Sequence, residues 1–165
     1  MNFIHYTHHF LDTWDDKETQ SVLEKYGLGG VNKPNLSGLQ FVQMDEFYPI
    51  SPKQHNSFYN YVNKNYIDGF GLDPKRALFI NSDDIKLYNG KSYKEIFPNY
   101  SIDLSLRFRQ ALNEEERIQQ QSIFMIDDWC SRYDDKIKAK GDIGFLLTTL
   151  GSDGRIAFNI SGTSL

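Results

Sequence analysis

Two acidic clusters carry the residue types best suited to moving protons in this chain. Asp45-Glu46 closes a short apolar run, and Asp153 sits within Gly151-Ser152-Asp153-Gly154, followed by Arg155 and then Asn159. Carboxylates held in different surroundings have their pKa values pushed apart, so that one serves as base and the other as acid. If the elements leading into the two loops are neighbours, Asp45 and Asp153 face one cleft from two sides. The same residues also suit a plainer role as turn carboxylates that accept from local amides. Spacing alone leaves both readings open.

The elements that must position these carboxylates are legible as an alternation of strands and helices. Leu39 to Met44 is a short, mostly apolar run after Ser37-Gly38, which suits a buried strand, and it delivers Asp45 at its carboxyl end. Ser51-Pro52-Lys53-Gln54 predicts a helix start, with Ser51 as cap, Pro52 in the first turn and Gln54 closing a capping box. That helix places Phe58, Tyr61, Val62, Asn65 and Tyr66 on one face and ends at Gly69 and Gly71. Ala77 to Ile80 is a second strand. Asn113 and Glu116 cap the longest helix, whose stripe of Ile118, Met125, Ile126, Trp129, Tyr133 and Ile137 faces inward and which stops at Gly141. Cys130 belongs to the core beside that stripe, while Glu115, Asp127, Asp128, Arg132, Asp135 and Lys136 form a solvated outer face. Ile143 to Leu150 predicts a third buried strand, leading into the loop of Asp153. Turn-rich joints at Gly27 to Ser37 and Asn89 to Ser101 separate the thirds of the chain.

Strands alternating with helices require parallel pairing, because parallel neighbours need a long return path. The expected fold is therefore α/β, a Rossmann-like three-layer sandwich with a mainly parallel sheet. Ligands of such sheets bind outside the carboxyl ends of the strands, which is where both acidic loops fall. Composition narrows the function further. The 165 residues fit one domain, and 39% apolar with 24% charged residues is an ordinary globular balance. A net charge of -4 offers no general attraction for nucleic acid or an anionic membrane, and no apolar run is long enough to span one. A single cysteine excludes an internal disulfide and a thiolate-rich metal site, and fits a reducing, cytoplasmic compartment. His5, His8 and His9 have helical spacing, but a solvated terminus accounts for them without a metal. Arg107 and Arg109, alternating with Leu106 and Phe108, fit a half-buried edge strand as well as a phosphate grip. The glycines Gly27, Gly29 and Gly30 form a flexible turn.

Two segments resemble motifs of one enzyme family. Met44-Asp45-Glu46-Phe47-Tyr48 is similar to the MDE(Y/F) motif of the glucosamine-6-phosphate deaminase family, and Leu150-Gly151-Ser152-Asp153-Gly154-Arg155-Ile156-Ala157-Phe158-Asn159 is similar to its GxGxDGHIAFN motif. The resemblance runs from about Ser37 to Leu165, across most of a single, partial domain. It implies conversion of glucosamine 6-phosphate to fructose 6-phosphate and ammonia, with no metal or organic cofactor. Asp45 aligns with the family's base for proton transfer between C2 and C1 of the opened sugar, and Asp153 with the carboxylate that orients a ring-opening histidine. Arg155 occupies the place of that histidine. Glu46, Gly151, Gly154 and Asn159 align with positions that bind the phosphorylated amino sugar. A related branch, the 6-phosphogluconolactonases, shares a DE and a DGH and is the alternative enzyme.

The departures from the family pattern have chemical consequences. A guanidinium with pKa above ~12 exchanges no proton with a sugar ring at neutral pH. Ile160 stands where a glutamate usually follows Phe-Asn, and Thr148-Thr149 where a glycine pair does. No strand feeds Gly27 to Gly30, so the family's phosphate-binding loop has no counterpart here. The chain is expected to be a fragment, and the sequence leaves open whether further domains or a second copy complete its sheet edges. The alternative class is a catalytically impaired module that recognises a phosphorylated sugar without turning it over.

Overall fold

The computed structural model describes residues 3–148 and 151–155. Helices α1 (Phe3–Asp12) and α2 (Lys17–Lys25) lead into strand β1 (Phe41–Val42). Helix α3 (Phe58–Val62) follows, then strand β2 (Ala77–Leu78), the short helix α4 (Tyr93–Ile96) and the 26-residue α5 (Glu114–Ala139). β1 and β2 pair in parallel, Phe41 opposite Ala77 and Val42 opposite Leu78. The parallel pairing and both strand positions agree with the apolar runs in the sequence. Among the described residues the sheet holds these two strands, so the protein is a mixed helix and strand fold around a small parallel ladder.

Three expectations for this framework are corrected. Ser51 to Gln54 forms a turn rather than a first helical turn, and α3 begins at Phe58 with Ser57 as its cap, accepting from the Asn60 amide at 3.3 Å. The helix then widens into a π-helical turn over Asn63–Asp68. Its five-residue hydrogen-bond spacing brings Ile67 beneath Val62, so these two are buried while Tyr61 turns outward. The run 143–148 is not a strand: Ile143, Phe145, Leu146 and Leu147 are exposed, and Leu150 lies outside the described residues. Arg107 ends a 3-10 turn (Leu104–Arg107) instead of lying on an edge strand.

The core lies where the sequence suggested a joint. Leu87, Ile96, Phe97, Leu106 and Ile123 form one buried cluster, with Tyr48, Tyr88, Tyr93, Ile102, Ile118 and Ile126 packed around it. Segment 89–101 is thus not a simple turn. Ser92 and Glu95 form a reciprocal capping box that starts α4 and drops Ile96 and Phe97 into the core against α5. On α5 the buried residues are Ser122, Ile123 and Tyr133, whereas Met125 and Cys130 are exposed. Cys130 is therefore not a core residue. Partial desolvation, with Asp127 and Asp134 nearby, still pushes its thiol pKa up and disfavours the thiolate.

The ends of α5 follow the sequence closely. Asn113 accepts from the Glu116 amide at 2.9 Å, and Gly141 stops the helix at φ 91°, a left-handed conformation that favours glycine. Glu116 does not return its half of the capping box. Its carboxylate takes the Leu112 amide at 2.9 Å and the Arg109 guanidinium at 2.6 Å. Arg109 also reaches Asp103 at 2.8 Å, and hydrogen bonds from Ser105 and then Arg109 hold the Asp103 pKa down at about 2. This network anchors segment 103–117 to the start of α5.

The amino-terminal histidines belong to structure as well. α1 buries Ile4, and His8 lies with its ring 4.9 Å from that of Phe70, so this terminus is a packed helix rather than a solvated tail. No helix among the described residues is long and apolar enough to cross a membrane.

Candidate functional site

The parallel ladder delivers Asp45 as the apolar run predicts, and the residue that fixes it is Gln43. Gln43 is 2% exposed, and every polar group it owns is used. Its amide donates to the Leu78 carbonyl at 2.9 Å, extending the ladder by one step, and its side-chain oxygen accepts from the Ile80 amide at 3.1 Å. Its side-chain nitrogen donates to the Asp45 carbonyl at 2.9 Å. A glutamine at the end of β1 thereby replaces the next ladder bonds and sets where the backbone of Asp45 leaves the sheet. Leu39 to Met44 holds two polar residues, Gln40 and Gln43, and nothing in the sequence singles out Gln43 for this role.

Asp45 and Glu46 stand side by side and differ completely in their surroundings. Glu46 is consumed by the start of α3. One carboxylate oxygen accepts from the Phe47 and Phe58 amides at 2.9 and 3.0 Å, the other from the Ser57 hydroxyl at 2.8 Å and the Tyr59 amide at 2.7 Å. The Phe58 and Tyr59 amides are ones that a helix leaves unpaired at its first turn, and a carboxylate is the partner that their partial positive charge favours. Glu46 thus ties the loop after β1 to α3. The Asp45 carboxylate, half-buried, has no hydrogen-bond partner among the described residues. Burial first, and the neighbouring Glu46 charge second, raise its pKa above the ordinary value.

The second acidic loop is a self-contained turn. The Gly151 amide donates to the Arg155 carbonyl at 2.9 Å, and the Gly154 amide to the Gly151 carbonyl at 2.9 Å. Asp153 accepts from the Arg155 amide at 3.4 Å and faces the Arg155 side chain at 3.4 Å. Gly154 has φ 80°, and a Cβ on Gly151 would meet Asp153 Oδ1 at 2.6 Å and Arg155 Cγ at 2.7 Å. The left-handed turn therefore demands Gly154, while a side chain at Gly151 would displace the exposed Asp153 and Arg155 side chains. Asp153 has the geometry of a turn carboxylate, and no hydrogen bond or ion pair among the described residues joins this loop to Asp45 or Glu46. Asn159 and Ile160 lie outside the described residues.

What these features define is a mixed α/β chain with a half-buried carboxylate, without a hydrogen-bond partner among the described residues, just past a parallel strand. The chain is similar to the glucosamine-6-phosphate deaminases of two strains of Bacteroides fragilis, 26% identical over 139 residues in each case. The match covers 82% of this chain and 37% of each relative, so the chain spans just over a third of the length of the curated relatives it matches. No family model matches. No solved structure matches either.

Proposed function

We propose that this chain is part of a sugar-phosphate isomerase of the glucosamine-6-phosphate deaminase type, a soluble cytoplasmic protein of Rossmann-like architecture. The observation that carries the reading is Asp45: a half-buried carboxylate with a raised pKa and no partner among the described residues, just past a parallel strand. Moving a proton from C2 to C1 of an opened amino sugar needs a base within reach of both carbons, and a carboxylate already saturated by hydrogen bonds is a poor one. Asp45 is the free member of its pair and takes that role. The resulting C2 imine is released by water as ammonia and the ketose phosphate, with no cofactor.

In this reading Glu46 acts as the strut that holds the Asp45 loop on α3. Gly151, Gly154 and Asn159 shape the sugar side, and further domains or a second copy complete the sheet. A second reading is favoured by Arg155, which is paired with Asp153 in the place of a titrating histidine. It is a domain that retains sugar-phosphate binding and turns over slowly. A coupled ammonia assay on glucosamine 6-phosphate tests both. The expected result is release at least ~10²-fold slower than by an intact relative, lost on Asp45→Asn and not fully restored by Arg155→His. Release unaffected by Asp45→Asn would remove Asp45 from the chemistry.

A further inference from the structure

The loop that carries Asp45 continues into one wall of a separate cleft. Residues Tyr48 to Ser51 and Gln54 face the segment Ser82 to Tyr93 across a space of about 410 Å³. That volume falls within the ~300–1,000 Å³ of small-ligand sites. The two walls are locked together. Ser82 Oγ donates to the buried Ile50 carbonyl, and the rings of Tyr48 and Tyr93 meet edge to face at 5.9 Å. Leu87, 3% exposed, lies at the base, and the Ser92–Glu95 capping box fixes the far rim.

The charge of the cleft runs against that of the chain. Lys86 and Lys91 both line it, against one lining carboxylate, Asp83. Neither lysine forms an ion pair among the described residues, although Lys91 adds to the hydrogen bonds from Ser92 and from Arg117 in lowering the pKa of the nearby Glu95 and Glu114. Elsewhere Arg107, Arg109 and Arg117 are neutralised by Asp127, by Asp103 with Glu116, and by Glu114. The Lys86 ammonium donates to the Asp83 carbonyl at 2.6 Å, which positions it and leaves two of its three N–H groups for another acceptor. Ser51 Oγ accepts from the Lys53 amide at 3.4 Å, so its O–H remains available to donate. Burial raises the pKa of the Tyr48 and Tyr93 phenols, which keeps them protonated. Ile50, Ile85 and the ring of Tyr48 supply an apolar surface beside these donors.

We infer that this cleft binds the phosphomonoester of a small polyol, with Lys86 and Lys91 on the phosphate and Ser51 and Gln54 on the hydroxyls. Two ammonium groups match a phosphate dianion, and exposed lysines act on it as point charges whose attraction falls with salt. Asp45 does not line this cleft, and the inference does not depend on the deaminase reading.

Titration of the isotope-labelled 165-residue chain with glycerol 3-phosphate, followed by amide NMR at low salt, tests it. The expected result is saturable shifts confined to residues 48–54 and 82–93, with Kd on the order of 1 mM. The Lys86→Ala, Lys91→Ala double variant is expected to weaken binding at least tenfold while its remaining amide spectrum stays folded, since both lysines are exposed. Asp45→Asn is expected to leave the affinity unchanged, which separates this site from the catalytic proposal. Shifts absent from these segments, equal shifts with glycerol, or an affinity indifferent to the two lysines would overturn it.

Discussion

The Tyr133 hydroxyl, on the far side of α5, donates to the Gln43 carbonyl at 2.7 Å and approaches the Leu78 carbonyl at 3.1 Å. One buried phenol from the longest helix thus closes the ends of both parallel strands, immediately before the chain reaches Asp45. Burial, acting against the hydrogen bond to Gln43, pushes the Tyr133 pKa well above its ordinary value, so the group is a permanent donor. Its ring stacks on Trp129 at 5.4 Å, which leaves the hydroxyl as the polar end of an otherwise apolar contact.

Tyr133→Phe keeps the ring and removes the donor. The Gln43 carbonyl then loses its donor, while the Leu78 carbonyl keeps the Gln43 amide, at a cost of about 1–3 kcal/mol in unfolding free energy. Urea unfolding followed by circular dichroism measures it, and a change below about 0.5 kcal/mol would show that water replaces the phenol.

Glu46→Gln preserves shape and removes charge at the start of α3. An amide side chain offers one acceptor oxygen in place of two and carries no charge for the helix terminus, so some of the four donors lose their partner. The expected loss is about 1–3 kcal/mol, with Glu46→Ala at the upper end. Amide hydrogen exchange at Phe58 and Tyr59 localises the effect: faster exchange there, relative to α5, is the signature of the clamp.

Asp45 has a raised pKa in the folded state, so folding favours its protonated form. That preference contributes to stability below the unfolded-state pKa, near the ordinary 3.8, and is lost as pH rises through the higher folded value. Asp45→Asn mimics the protonated carboxyl. The variant is expected to have a higher Tm than the wild type at neutral pH, with the difference shrinking as pH falls below the ordinary carboxylate value. Thermal unfolding across pH 3 to 7 checks the sign, and an equal Tm offset at every pH would show that ionisation of Asp45 is not the cause. A stabilised protein without turnover is the behaviour of a carboxylate retained for chemistry.

The sequence by itself determined the local elements whose causes are local. The apolar runs at Leu39 to Met44 and Ala77 to Ile80, the Asn113 cap and the Gly141 stop all name their own conformation, because periodicity, side-chain caps and left-handed glycines act within a few residues. So did the placement of Asp45 just past a strand. The start of α3 went differently: Ser51-Pro52 has the composition of a helix start, yet Ser57 wins because the Glu46 carboxylate, eleven residues upstream, gathers the amides after it.

Only the tertiary structure decided which of two adjacent carboxylates has no hydrogen-bond partner among the described residues. Asp45 and Glu46 are alike in charge and separated by one peptide bond, and their difference comes from α3, which claims one and not the other. Tertiary packing also moved the core into segment 87–106 and left Ile143 to Leu147 exposed, since an apolar run becomes a strand only beside a ladder with which it can pair. The roles of Gln43 and Tyr133 arise from contacts spanning 37 and 90 residues, and no pattern within a few positions of either could announce them.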